Sequence, residues 1–297
     1  MKKLLLLLLT APLILLAQPK VSLQVLGSGG PESGDKRASS GYIVWIDGKS
    51  RVLVDFGSGS ALRFEEAGAK IEDLELILLT HLHIDHTADI PALLKSSFFV
   101  TRSSDLLLFG PDGNRAMPDT HTFIERLFKN RSGAWQYMGD YLDGRADFQL
   151  KEKNIAKNKR VKTIYRKNNL SVQAVSVHHG PIPAIAYRVN IGNKSITFSG
   201  DMNGEYHTLA KLAKGTNILV AHNAVPKGAT GVAANLHMTP LTIGKIAKSA
   251  KVKKIVLSHR MLRTLGKEKE KETMKEIRKS YKGPIKFAND KSFYLLR

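Results

Sequence analysis

The sequence predicts an α+β fold in which two β-sheets pack face to face beneath covering helices. Three observations lead there. Strand-like stretches dominate both halves of the chain, helix-like stretches gather toward the end of each half, and the second half repeats the order of the first. A sheet with one apolar face needs a partner layer, and amphipathic helices close the outer faces.

The elements follow in order. Residues 21–26 read as a strand rich in β-branched side chains, ended by the turn Gly27-Ser28-Gly29-Gly30-Pro31. Residues 31–40 are small and polar, a loop near the mouth of a site. Residues 41–46 and 51–55 form a hairpin around Asp47-Gly48. A helix over 60–67 is closed by Gly68. The run Leu-Glu-Leu-Ile-Leu-Leu-Thr at 74–80 reads as a buried strand. A helix begins at about Asp89, with Pro91 in its first turn. A short strand over 106–109 stops at Gly110-Pro111-Asp112-Gly113. Residues 114–150 read as irregular, with Trp135, Tyr137 and Tyr141, and the basic stretch 151–167 as a hairpin or lid. Together they suggest an inserted segment at about 114–167 of a single domain. The second half then gives strands at 171–177, 184–191 and 195–199, a helix at 205–214 and a strand at 218–222. A helix at 241–250, a strand at 254–258, a charged helix at 267–279 and a closing strand at 293–296 complete it.

Bulk properties bound the rest. Residues 1–17 read as a signal peptide: Lys2 and Lys3 precede an apolar run over 4–16, too short for a comfortable span, with a cut expected after Ala17. Leu15 stands where a small residue is preferred, so an uncleaved anchor is the alternative. The expected location is secreted or periplasmic. The remaining ~280 residues suffice for one large domain with a substantial core. No cysteine occurs anywhere. Lipoprotein attachment and disulfides are excluded, and any metal must be held by His, Asp or Glu. After the leader no segment is long and apolar enough to span a membrane. The formal charge of +20 favours anionic partners.

The most informative stretch is His81-Leu82-His83-Ile84-Asp85-His86, three imidazoles and a carboxylate in six residues. It follows a buried strand, where that many polar groups would be costly without a ligand. His81 and His83 lie two apart and face the same way on an extended chain. Imidazole nitrogens with a carboxylate suit zinc and similar divalent ions. Three further groups follow strands directly: His178-His179-Gly180, Gly200-Asp201 and His259. Strand ends are where open sheets place their sites, and a carboxylate such as Asp201 can bridge two cations.

With these residues in view, the chain resembles a metallo-β-lactamase-fold hydrolase. The run from Thr80 to His86 matches that signature, and His179, Asp201 and His259 match the later ligand motifs in order. The resemblance implies a four-layer αββα sandwich with two metals at one edge. It assigns His81, His83 and His179 to the first metal, Asp85, His86 and His259 to the second, and Asp201 to both. His179 is preferred to His178 on its spacing to Tyr187 and Arg188. Gly27-Ser28-Gly29-Gly30, Asp55-Phe56-Gly57, Phe109-Gly110-Pro111 and Ala186-Tyr187-Arg188 are similar to the RNase Z branch and its arylsulfatase-like and phosphodiesterase relatives. In that branch His237, within Leu236-His237-Met238-Thr239-Pro240, corresponds to a second catalytic histidine. Two features depart from RNase Z: Asn223 stands where an acidic residue belongs, and the long tRNA-grasping arm is not evident.

The expected function is an exported hydrolase of a phosphodiester or sulfate ester that uses two divalent ions, zinc first among them. Asp85 would ligate and orient the attacking water, and His237 would protonate the leaving group or bind the ester's free oxygen. The favoured partner is a small anionic ester. An RNase Z-like RNA 3′-processing endonuclease is the enzymatic alternative, and a non-catalytic zinc-bearing envelope protein the other. The resemblance also allows a homodimer.

Overall fold

The computed structural model describes residues 18–296. The leader, and with it the expectations of export and cleavage, lies outside the described residues. Fourteen strands form two seven-stranded sheets among the described residues. In the first the order is β14 (Phe293–Leu296), β1 (Val21–Gly27), β2 (Gly41–Ile46), β3 (Lys49–Phe56), β4 (Leu76–Leu78), β5 (Leu106–Pro111) and β6 (Leu150–Ile155). In the second it is β13 (Ile285–Phe287), β12 (Ile255–Ser258), β11 (Ile218–His222), β10 (Lys194–Phe198), β9 (Ile182–Ile191), β8 (Leu170–His179) and β7 (Lys162–Lys167).

The period-two pattern explains the stacking. Val21, Leu23 and Val25 of β1, with Val52 and Val54 of β3, meet Val172, Tyr187, Val189 and Phe198 of the second sheet in one buried cluster. Alternate residues such as Leu53 and Ile77 point outward, beneath α1 (Ser60–Glu66), α3 (Ile90–Ser96) and α4 (Thr120–Phe128). The outer face of the second sheet, with Val175, Leu219 and Leu257, is covered by α6 (Leu209–Leu212), α8 (Pro240–Ser249) and α9 (Lys267–Arg278). The result is the αββα sandwich. Among the described residues no helix is long and apolar enough to cross a membrane.

Strand direction positions the site. β3 to β6 run parallel, as do β10 to β13. The C-terminal ends of β4, β8, β10, β11 and β12 therefore converge on one edge, each followed by a polar residue of interest.

Several expectations need correction. The stretch 114–150 is not irregular: it holds α4, whose Asp119 side chain caps Thr122 N, and α5 (Asp140–Asp143). The alternation of apolar Ile124 and Phe128 on one face of α4 is visible in the sequence but short. The basic stretch is neither hairpin nor lid. Its two halves, β6 and β7, join different sheets. The helix expected over 205–214 shrinks to α6, because Gly204 and His207 are left-handed at φ 95° and 53° and the chain cannot continue through them as a right-handed helix. Three short elements escaped the pattern: α2 (Ile84–Thr87), α7 (Gly231–Leu236) and β13.

Candidate metal centre

The first histidines are set by the exit from β4. Thr80 N and Oγ1 both donate to the buried Asp55 carboxylate, at 2.7 and 2.8 Å. Asp55, the last residue but one of β3, lies in the left-handed region at φ 53°, a conformation unusual for a residue with a Cβ and typical of functional turns. The same carboxylate lies 2.8 Å from His86 Nδ1. With Nδ1 so engaged, His86 turns Nε2 toward Asp85 and Asp201, where it has no hydrogen-bond partner. The loop after β3 also crosses α2 closely: a Cβ on Gly57 would sit 2.0 Å from Asp85 O.

His81 is fully buried and its Nε2 lies 3.1 Å from His83 Nδ1. From the second sheet, His179 at the end of β8 donates Nδ1–H to Leu236 O at 2.9 Å. This leaves Nε2 facing His83 Nδ1 at 3.5 Å. His178 turns the other way, its ring edge-on to Tyr206 and its Nδ1 3.6 Å from Glu205.

Asp201 follows β10 after Gly200, which is left-handed at φ 59° and whose added Cβ would strike Thr80 at 2.9 Å. Its two oxygens differ. Oδ1 accepts from His222 Nδ1 at 2.6 Å. Oδ2 is ringed by nitrogens of His259 at 3.3 Å, His237 at 3.7 Å, His86 and His179 at 3.8 Å and His81 at 3.9 Å. His259, itself at φ 51°, also reaches Asp85 Oδ2 at 3.1 Å. Gly30 packs against the His259 ring, which brings the 27–40 loop to the site.

Electrostatics follow from burial and charge. Burial pushes His81 well below the ordinary histidine range and lowers His83 and His179. Burial also pushes His237 down to about 3. For His86 burial is outweighed by Asp85 and Asp55, and the ring is raised; Asp201 and Asp85 likewise raise His259. Although burial opposes it, the surrounding imidazoles hold the Asp201 carboxyl well below the carboxylate range.

These side chains suit divalent cations. His81, His83 and His179 form one group whose ligand atoms lie within 4.8 Å of one another, and His86, Asp201, His222 and His259 form a second. His86 Nε2 and His237 Nδ1, which face Asp201 Oδ2, are buried without hydrogen-bond partners. Lone pairs converging in this way repel unless a cation or proton lies between them. All eight residues expected at the site are thus brought to one edge. Sequence reasoning missed three supports. His222 steadies Asp201 and lies 3.2 Å from the Tyr42 hydroxyl, which donates to Ser258 Oγ; Asp55 steadies His86. The signal for His222 and Asp55 was present, each a polar residue at the end of an apolar strand. Tyr42 lies inside its strand and carried no such mark.

An αββα sandwich with histidines and aspartates at its strand ends defines a class of metal-dependent hydrolases. Residues 34–259 match the metallo-beta-lactamase superfamily, and the chain belongs to it. Among curated proteins it is similar to ribonuclease Z of Mycobacterium sp. (strain KMS), 28% identical over 250 residues, covering 80% of this chain and 84% of that one. Ribonuclease Z of Picrophilus torridus is 25% identical over 263 residues, covering 79% and 84%. Among solved structures, the metallo-beta-lactamase fold protein YhfI from Bacillus subtilis superposes with a TM-score of 0.72 at 19% identity, covering 94% of this chain and all of that one. The short form of human tRNase Z gives 0.71 at 18%, covering 93% and 99%, and a diphosphatase of the PhnP family 0.64 at 18%, covering 93% and 97%.

Proposed function

We propose that this chain is a hydrolase of phosphodiesters that works with two divalent cations, zinc first among them. The observation that carries the reading is the single oxygen, Asp201 Oδ2, facing five imidazole nitrogens from both sheets. One carboxylate so placed can serve two cations, one beside His81, His83 and His179 and the other beside Asp85, His86 and His259. Cations held there would supply a water activated at neutral pH and offset the charge of the transition state.

The chain's own residues do the rest. Asp85, on the first turn of α2 and 3.1 Å from His259, would orient the attacking water. His237, at the end of α7 and kept neutral by its burial, would donate an N–H to the ester's free oxygen. The ribonuclease and diphosphatase names among the relatives support a phosphoester over a sulfate ester. The similarity to ribonuclease Z along most of the chain favours RNA 3′-end processing as the second reading. Asn223, uncharged and fully buried beside His222, counts against it. Export belongs to the same proposal and rests on Lys2, Lys3 and the apolar run after them. Mass spectrometry of the protein from cells would then find Gln18 at the N-terminus.

The test is initial rates of the zinc-loaded protein on bis-(p-nitrophenyl) phosphate and p-nitrophenyl sulfate, each with a chelated control. Chelator-sensitive turnover of the diester is expected. Turnover of the sulfate alone would replace the phosphodiester with a sulfate ester, and metal binding without turnover of either would favour a binding protein.

A further inference from the structure

Both sheets end on the same side of the sandwich, one in β6 and the other in β7, and residues 156–161 cross between them. Two cavities flank that crossing and share Ile155 and Ser176. The first, about 280 Å³, has an apolar floor of Phe109, Ile164 and Ala174, with Lys153, Arg160 and Lys162 at its rim. The second, also about 280 Å³, holds Lys157, Asn114 and Tyr206 and reaches Gly180, the residue after His179. Lys159 stands 3.9 Å above the Tyr206 ring. The two linings follow β8 from Ala174 to Val177, about 10 Å at ~3.3 Å per residue, and meet the chain again at Gly180.

The charge is uneven in a useful way. Lys153, Lys157, Lys159, Arg160 and Lys162 are exposed, and none forms an ion pair among the described residues. Of the acids nearby, Glu152 is taken by His121 and Glu205 lies against His178. Asp112 alone faces the second cavity. A row of cations without ion pairs over an apolar floor suits a chain of phosphates whose bases lie inward.

We propose that this edge groove binds single-stranded nucleic acid and leads it to the metal centre. The inference rests on the phosphodiesterase reading for its purpose, but the binding itself does not require catalysis. It places recognition on the sandwich's own edge strands.

The experiment is fluorescence anisotropy of the full chain with a labelled unstructured oligouridylate across a salt series, with and without chelator. Lys153→Gln/Arg160→Gln/Lys162→Gln should weaken binding by at least ~10-fold and flatten the log–log salt slope by about 2, at ~0.7 per phosphate contact on a single strand. Lys267→Gln/Lys271→Gln/Lys275→Gln, which removes equal charge from exposed positions of α9, should leave both nearly unchanged. Turnover of bis-(p-nitrophenyl) phosphate should be the same in all three proteins. Equal losses in the two triple variants would overturn the groove, as would tighter binding of duplex, or of phosphatidylglycerol vesicles, than of the single strand. Loss of diester turnover in every protein with oligonucleotide binding intact would defeat the catalytic reading and leave the groove standing.

Discussion

At the scale of residues, the proposed centre depends on groups that orient its histidines and aspartates as much as on the side chains that would hold the cations. His83 illustrates the second kind. It is the most exposed of the cluster, and its Nδ1 faces both His81 and His179. His83→Ala should lose one metal equivalent and turnover while keeping the fold. Elemental analysis that still found two equivalents would remove His83 from the ligand set. Asp55 illustrates the first kind, because one carboxylate fixes both the β4 exit and the His86 ring. Asp55→Asn should weaken the metal beside His86 by about 10–100-fold, as losses of outer-shell partners do. Titration of the metal-free variant should then show one tight and one weakened position, and two unchanged positions would refute the role. Much of this was readable in the sequence, since His81 to His86, His179, Asp201 and His259 each follow an apolar strand. The pairing of Asp55 with His86, or His222 with Asp201, was not. Such pairs join residues more than twenty positions apart, and their meeting depends on strand register.

At the scale of elements, the long strands and the helices with caps or clear periodicity were legible. α1, β8, β9, α8 and α9 fall close to where their patterns place them. Elements of three or four residues were not, because a window that short carries no period. β4 keeps only three residues of a longer apolar run, since Leu79 and Thr80 already serve the turn: Tyr187 donates to Leu79 O at 2.9 Å and Thr80 is held by Asp55. The edge strands β6 and β7 were misread because their polar, basic patterns resemble those of a loop, which is how edge strands avoid pairing with other chains. Close approach between elements is itself a constraint. A methyl group on Gly57 would collide with the Asp85 carbonyl, so Gly57→Ala should destabilise the protein by about 1–3 kcal/mol, as overpacking does. Urea denaturation would measure it, and metal affinity should fall in parallel because α2 must shift. A fully stable variant with normal metal content would contradict the packing.

At the scale of the whole molecule, the centre lies across the seam of the two sheets. His81, His83, Asp85 and His86 come from the first sheet's side, and His179, Asp201, His237 and His259 from the second's. Zinc at ~100 times its dissociation constant should add about 2.7 kcal/mol of stability. For a domain of this size that raises Tm by about 5–10 °C, and scanning calorimetry with and without chelator would show it. No change in Tm on loading would mean that the ligands do not assemble as described. The seam has a mechanical meaning as well. A chain without cysteine has no covalent stitch between its N- and C-terminal halves. Cations gripped from both sides would supply a reversible one, so that chelation would act on this protein as a reductant acts on one laced by disulfides, loosening the halves before either sheet unravels.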